Sequence, residues 1–306
     1  MPAQPQTYQQ SHHRIVTAAH STRTAAVEGA FILPHLQPHF AILDIGCGPG
    51  TITSSFATYV PQGSVTGIDT TEQVISEASE RLSQLDPRPK NVAFEVGNVL
   101  EGLRWEDGTF DVVFCSQTLI HIVEPVKALR EMRRLCKPGG FVAAREADMP
   151  FRWVPYLQGL QLFNKYLYRM VMGNIGSDAV HPDNAPFEDG HRSGSLVHVW
   201  AREAGFDPLR MVKGARTTVY GTLEERMYCR VFYFCLDDML MVCVNLGKFH
   251  AGGFVGRIEN AGWREKFVEL GASEEEVDTV VSDLKKWEED VDGWHAIVQC
   301  ETICWK

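Results

Sequence analysis

The sequence predicts an α/β fold: a doubly wound, mostly parallel seven-stranded sheet, with helical insertions late in the chain that form a lid. Three observations carry this. Between residues 41 and 147 short β-rich runs alternate with helical patterns. The runs are apolar almost throughout, as in a parallel sheet covered by helices on both faces. Two more strand-like runs, PLRMVKGARTTVY (208–220) and WHAIVQCETICWK (294–306), follow once the alternation has ended. The last is expected to rejoin the sheet, which favours one sheet domain over separate domains.

The elements follow in order. AILDI (41–45) is a buried strand, and TITSSFATYV (51–60) is the helix after it. SVTGID (64–69) is the second strand. Residues 71–85 place Val74, Ile75, Ala78, Leu82 and Leu85 on one face at spacings of three and four, an amphipathic helix. VAFEVG (92–97) and FDVVFCS (110–116) are the third and fourth strands. EPVKALREMRRLC (124–136) reads as a helix, with Glu124 and Pro125 at its start, where proline's missing N–H costs nothing. Basic residues crowd its last turn and Pro138-Gly139-Gly140 stops it. FVAAREA (141–147) is the fifth strand.

After 148 the pattern changes. Residues 149–176 are crowded with aromatics and Met, and 177–192 are polar and read as a loop. GSLVHVWAREAGF (194–206) is a helix ending at Gly205. Residues 222–291 are largely helical, with an apolar piece at 228–246 and a charged one at 274–290. The expected organisation is an N-terminal helical cap (1–40), a sheet core (41–148), an apolar lid insertion (149–193), and completion of the sheet (194–306) with a helical insertion at about 222–291.

Composition narrows the function. The 306 residues, 44% apolar, are ample for a packed core. The net charge is −10 and no basic stripe stands out, which argues against nucleic acid. Eight cysteines include no Cys-x-x-Cys pair, and several sit in apolar runs as buried free thiols do. That reads as a reducing, cytoplasmic setting, with no metal centre. The N-terminus lacks the apolar core of a signal peptide. No apolar run approaches the ~20 residues of a membrane helix, so no integral membrane segment is expected.

ILDIGCGPGTIT (42–53) is the stretch that carries chemistry. An acid is followed by Gly46, Gly48 and Gly50, a loop that lets a ligand touch backbone. A dinucleotide loop needs Gly-x-Gly-x-x-Gly and a phosphate loop needs Gly-Lys-Ser/Thr, and neither fits. Pro49 also removes a backbone donor that would hold a pyrophosphate. Three features stand at matching places: Asp69 ends the second strand, where an acid reaches ribose hydroxyls; Asn98 follows the third; CSQTLIH (115–121) ends the fourth.

In this order the motifs resemble the class I S-adenosylmethionine-dependent methyltransferases, in the small-molecule group related to ubiquinone and menaquinone biosynthesis methyltransferases, with their Rossmann-like sheet. The resemblance covers at least residues 41–147. It departs from the group's pattern at Asn98, where many relatives carry Asp. The resemblance implies that Asp44, Gly46, Cys47, Gly48 and Gly50 shape the loop under the methionine part of the cofactor. It also implies that Asp69 and Thr70 take the ribose, that Asn98 and Val99 flank the adenine, and that Ser116 and Gln117 lie under the sulfonium. Arg23, in HSTR, is the candidate partner of the cofactor's carboxylate. Plain structural roles stand beside these: a tight turn for the glycines, a helix cap for Asp69, a turn for Asn98, an exposed helix position for Arg23, and packing for Cys47 and Cys115.

Methyl transfer from a sulfonium needs alignment more than acid catalysis. A base is needed only if the acceptor must lose a proton, and His121 is the catalytic candidate, with an orienting or packing role as its alternative. His20, His181 and His191 are weaker candidates. The aromatic segment 149–172, with Tyr228, Phe232, Tyr233 and Met239, either lines an acceptor pocket or forms ordinary helical core. The expected activity is methyl transfer to a hydrophobic or aromatic small molecule, at O, C, N or S. Two rivals are a prenyl-quinone C-methyltransferase that touches the membrane through 156–172, and a non-catalytic cofactor-binding protein. A homodimer is the assembly considered.

Overall fold

The computed structural model describes residues 23–172, 193–220 and 251–306. Its sheet has seven strands in the order β3-β2-β1-β4-β5-β7-β6. The strands are β1 (Ala41–Ile45), β2 (Ser64–Asp69), β3 (Val92–Val96), β4 (Phe110–Ser116), β5 (Cys136–Val154), β6 (Met211–Tyr220) and β7 (Trp294–Trp305). The first five are parallel, and β7 runs antiparallel between β5 and β6. The strand order reverses between β1 and β4, the place where open α/β sheets bind ligands at their carboxyl ends.

Helices flank the sheet: α1 (Ala25–Glu28), α2 (Thr51–Phe56), α3 (Glu72–Ser83), α4 (Pro125–Leu135) and α6 (Val197–Glu203). α3 buries Val74, Ile75, Ala78 and Leu82 as the spacing predicts. Leu85 does not join them; it lies beyond the helix end and is 41% exposed. α4 starts at Pro125 and carries Arg133 and Arg134 in its last turn, where they face the negative end of the helix dipole. One face of the sheet packs Val112, Phe114, Ala143 and Ile303 against Ala25, Ile32 and Phe56. The other packs Val113, Cys115 and Ala144 against Leu129 and Met132 of α4 and Trp200 of α6.

The main correction concerns β5. The strand expected at 141–147 runs from Cys136 to Val154, so 149–154 belong to the sheet and not to the lid. They pair with β7 as far as Val154↔Trp294. The reason is period two: Met149, Phe151 and Trp153 are buried while Pro150, Arg152 and Val154 are exposed.

On this extension sits a second apolar core. Phe151 and Trp153 pack with Phe163, Tyr166 and Leu167 of α5 (Gln158–Met172), and with α7 (Ala251–Asn260), α8 (Trp263–Glu269) and α9 (Glu274–Glu289). Phe254, Trp263, Phe267 and Trp287 fill it. Burying each such aromatic is worth about 2–3 kcal/mol. Inside it, Trp153 Nε1 donates to Asn164 Oδ1 at 3.2 Å, and Asn164 Nδ2 donates to the Phe151 carbonyl at 2.8 Å. α9 opens with a capping box, Ser273 and Glu276 each bonding the other's backbone N–H. The aromatics of 149–172 are thus chiefly core.

Candidate active site

β1 delivers Asp44 to the sheet interior, where its Oδ2 accepts from Thr53 Oγ1 at 2.6 Å. Burial pushes the Asp44 carboxyl up to about 7. Asp44 therefore braces α2 beneath the glycine loop and does not line its open side. Gly46, Gly48 and Gly50 have φ of +71°, +53° and +76°. Side chains would collide at Gly46 with Thr118 Oγ1 at 2.5 Å and at Gly50 with the Phe94 ring at 2.4 Å. At Gly48 a Cβ would meet nothing within 4 Å, so this peptide faces open space. Cys47 is buried and burial holds its thiol well above the ordinary range, as in a packing residue.

Asp69, at the end of β2, borders the same space. Its Oδ2 accepts the Gly48 N–H at 3.1 Å and its Oδ1 the Thr70 N–H at 2.8 Å. The acid and the loop are therefore one unit. A carboxylate fixed at the rim of exposed backbone fits a ligand with a hydroxylated sugar. Asn98 is engaged locally: Oδ1 accepts the Leu100 N–H at 3.0 Å and Nδ2 donates to Glu101 Oε1 at 2.9 Å. Its side chain has the turn-forming role, and Val99 beside it is buried.

The end of β4 brings Ser116 and Gln117 to the neighbouring position. Gln117 has φ +55°, unusual for a non-glycine residue. Its Nε2 donates to Gln299 Oε1 of β7 at 2.6 Å, which holds the turn. Ser116 Oγ donates to Glu28 Oε2 of α1 at 3.3 Å. His121 closes a short 3₁₀ turn, Leu119–His121, and is half-buried. Arg23 is half-exposed, and its positive charge repels that of Arg145. The structure thus gathers Gly46–Gly50, Asp69, Thr70, Ser116, Gln117 and His121 along one sheet edge. His20, His181, His191, Tyr228, Phe232, Tyr233 and Met239 lie outside the described residues.

Sequence reasoning missed three participants. Glu146, fully buried in β5, accepts the N–H groups of Thr118 at 3.0 Å and Leu119 at 2.9 Å through Oε1. It thereby fixes the turn that carries His121, and burial lifts its carboxyl to about 7. Thr118 Oγ1 donates to the Ile45 carbonyl at 3.2 Å and so ties the β4 turn to the glycine loop. On the opposite face Arg145 pairs with Glu28. The signal was present: two adjacent charges inside FVAAREA need one partner on each face of the sheet.

Comparison with known proteins agrees with this geometry. A model of a methyltransferase domain matches residues 36–185. The probable methyltransferase ltbC of Aspergillus luteorubrus is 30% identical over 99% of this chain and 98% of its own. A demethylmenaquinone methyltransferase of Bacillus cereus is 35% identical over 43% of this chain and 54% of its own. The YcgJ protein of Bacillus subtilis shares the fold, with a TM-score of 0.54 and 16% identity over 94% of this chain and 98% of that one. The chain therefore belongs to the class I S-adenosylmethionine-dependent methyltransferases, and S-adenosylmethionine is its cofactor.

Proposed function

We propose that this enzyme methylates a hydrophobic or aromatic small molecule. The observation that carries the reading is Ile120. It neighbours His121 in the turn after β4, yet it belongs to the apolar core of the lid. The lid thus roofs the end of β4, where an acceptor must approach, and an apolar roof suits an apolar acceptor.

In this reading the Gly46–Gly50 loop and Asp69, with Thr70, hold the cofactor, flanked by Asn98 and Val99. Arg23 takes its carboxylate. The cofactor supplies a methyl group on a sulfonium whose sulfide leaves neutral, so no general acid is needed. Ser116 and Gln117, fixed by Glu28 and Gln299, align the acceptor, and the lid excludes water. His121 receives a proton at a ring nitrogen when the acceptor must lose one.

Incubation of the enzyme with labelled S-adenosylmethionine and a metabolite extract of the source cells, followed by mass spectrometry, tests this. Label is expected in an apolar small molecule. Label in protein only, or in nothing, sinks the reading. His121→Ala is expected to lower turnover strongly where a base is used and to leave cofactor affinity unchanged. A membrane-bound prenyl-quinone acceptor receives less support: the apolar side chains of α5, Phe163, Tyr166, Leu167 and Met170, are buried within the protein and offer no lipid-facing side. No helix among the described residues is long and apolar enough to cross a membrane.

A further inference from the structure

Two adjacent buried charges on β5 serve opposite faces of the sheet. On one face Arg145 pairs with Glu28 of α1 and with Glu301 of β7, and Arg216 of β6 joins Glu301. Glu146 faces the other way and is fully buried. Among the described residues no cation pairs with it. Burying an acid in this way is costly unless hydrogen bonds compensate. Here they come from one short segment. Glu146 Oε1 accepts the Thr118 and Leu119 N–H groups at 3.0 and 2.9 Å, and the Cys115 thiol points at the same oxygen from 3.8 Å.

The bonding of this segment is unusual at Thr118. Thr118 is the N-cap of the 3₁₀ turn Leu119–His121, whose first N–H groups have no partner within the turn. A threonine in that position ordinarily accepts one of them with its own hydroxyl. Thr118 makes no such bond. Its hydroxyl is directed instead at the carbonyls of Ile45 and Ser116, each at 3.2 Å. Glu146 supplies the cap from another strand.

The hydroxyl thus released acts on the glycine loop. Ile45 ends β1 and Gly46 follows it. The Gly46 and Cys47 N–H groups bond the Ile68 carbonyl at 2.8 and 2.9 Å, and the Gly48 N–H bonds Asp69. Thr118 completes the set from the turn after β4. It bonds the Ile45 carbonyl, and its hydroxyl and methyl group fill the space that a Cβ on Gly46 would need. Without Glu146 the Thr118 hydroxyl is the local acceptor for the N–H groups of its own turn. Turning to them takes it away from Ile45.

We propose that Glu146 is a positioning residue for the cofactor: by capping the turn after β4 it leaves the Thr118 hydroxyl free to hold Ile45 and seat Thr118 on Gly46. The proposal rests on the reading of the Gly46–Gly50 loop as the cofactor's holder. The full-length protein is titrated calorimetrically with S-adenosylhomocysteine. Glu146→Leu is expected to weaken binding about tenfold, the scale of one lost hydrogen bond. Glu146→Gln, which keeps an acceptor oxygen, is expected to stay within about threefold of wild type on the same scale. Thr118→Val removes the hydroxyl and keeps the shape. In the double variant Glu146→Leu/Thr118→Val the loss is expected to match the larger single loss, because both substitutions break one chain of contacts. Asp283→Leu is the control. Asp283 is also a buried acid that accepts a backbone N–H, that of Gly159, but in the lid core, and its loss is expected to lower stability and leave the affinity unchanged. Binding by Glu146→Leu equal to wild type overturns the proposal. So do losses that multiply in the double variant, a Glu146→Gln loss as large as that of Glu146→Leu, or an equal loss in Asp283→Leu. If Glu146→Leu does not fold, Glu146→Asp decides: its carboxyl is one methylene short of the turn, so weaker binding supports the proposal and unchanged binding overturns it. Unchanged affinity in Gly48→Ala would instead strike at the reading of the loop.

Discussion

Thr118 stands directly over Gly46: a Cβ on the glycine would lie 2.5 Å from the threonine hydroxyl and 2.6 Å from its methyl group. The same hydroxyl bonds the carbonyl of Ile45. The turn after β4 is thereby locked to the loop after β1, and no side chain larger than hydrogen fits between them.

Alanine at Gly46 and at Gly48 should therefore fail differently. At Gly46 the positive φ and the collision act together, and Gly46→Ala is expected to cost about 2–3 kcal/mol of stability. At Gly48 only the backbone term applies, about 1 kcal/mol, because the space is open. Gly48→Ala is expected to fold and to lose S-adenosylhomocysteine affinity by tenfold or more, since its methyl enters the cofactor's place. Chemical denaturation and calorimetry separate the two; equal stability losses would refute the contrast.

Asp69 binds the loop, and in the proposed function it holds the ligand as well. Asp69→Ala removes the acceptor of the Gly48 and Thr70 N–H groups. A hydrogen bond to a charged group is worth about 1.5–3 kcal/mol, so cofactor affinity is expected to fall by roughly 10- to 100-fold or more. Asp69→Asn keeps one acceptor oxygen and should lose less. Unchanged affinity in the alanine variant would remove Asp69 from the cofactor site.

Two buried acids set a pH dependence of unusual sign. Burial lifts Asp44 from 3.8, and Glu146 from 4.5, to about 7. Between those limits the folded chain holds protons that the unfolded chain has released. Their contribution is full below about pH 4 and is lost as pH rises to 7, on the order of 3–4 kcal/mol for each. Asp44→Asn and Glu146→Gln are expected to lose less stability than wild type between pH 5 and 8. Parallel urea midpoints across that range would contradict the assignment.

His295 acts oppositely. It stacks on Trp153 at 3.9 Å with planes 10° apart, and burial drives its pKa from 6.5 down to about 3. The unfolded chain takes up a proton first, so this contribution is present above pH 6.5 and is lost as pH falls towards 3. His295→Phe keeps an aromatic ring on the stack and cannot charge. Its stability relative to wild type is expected to rise as pH is lowered from 7 to 4.5, by a few kcal/mol at most. A constant difference would show that His295 does not titrate in this window.

The sheet's core was legible because its signals are local. Period two marks the strands, spacings of three and four mark α3, and the glycine spacing with Pro49 separates this loop from pyrophosphate loops. The place of Asp69 at a strand end was legible too, and its bond to the Gly48 N–H was not. Asn98 is a harder case, because a turn amide and an adenine-reading amide have the same sequence signature; in the structure its amide bonds Leu100 and Glu101.

By itself the sequence determined the strand-and-helix alternation, the fold class and the glycine loop after β1, all properties of residues close along the chain. Only the tertiary structure decided that β5 continues through the 148 boundary, that the lid aromatics form a core, and that Glu28, Arg145, Arg216 and Glu301 meet in one row. The physical reason is register. Side-chain periodicity says which residues share a strand face, but the antiparallel docking of β7 between β5 and β6 chooses which distant residues oppose one another, and hence which buried charge finds which partner.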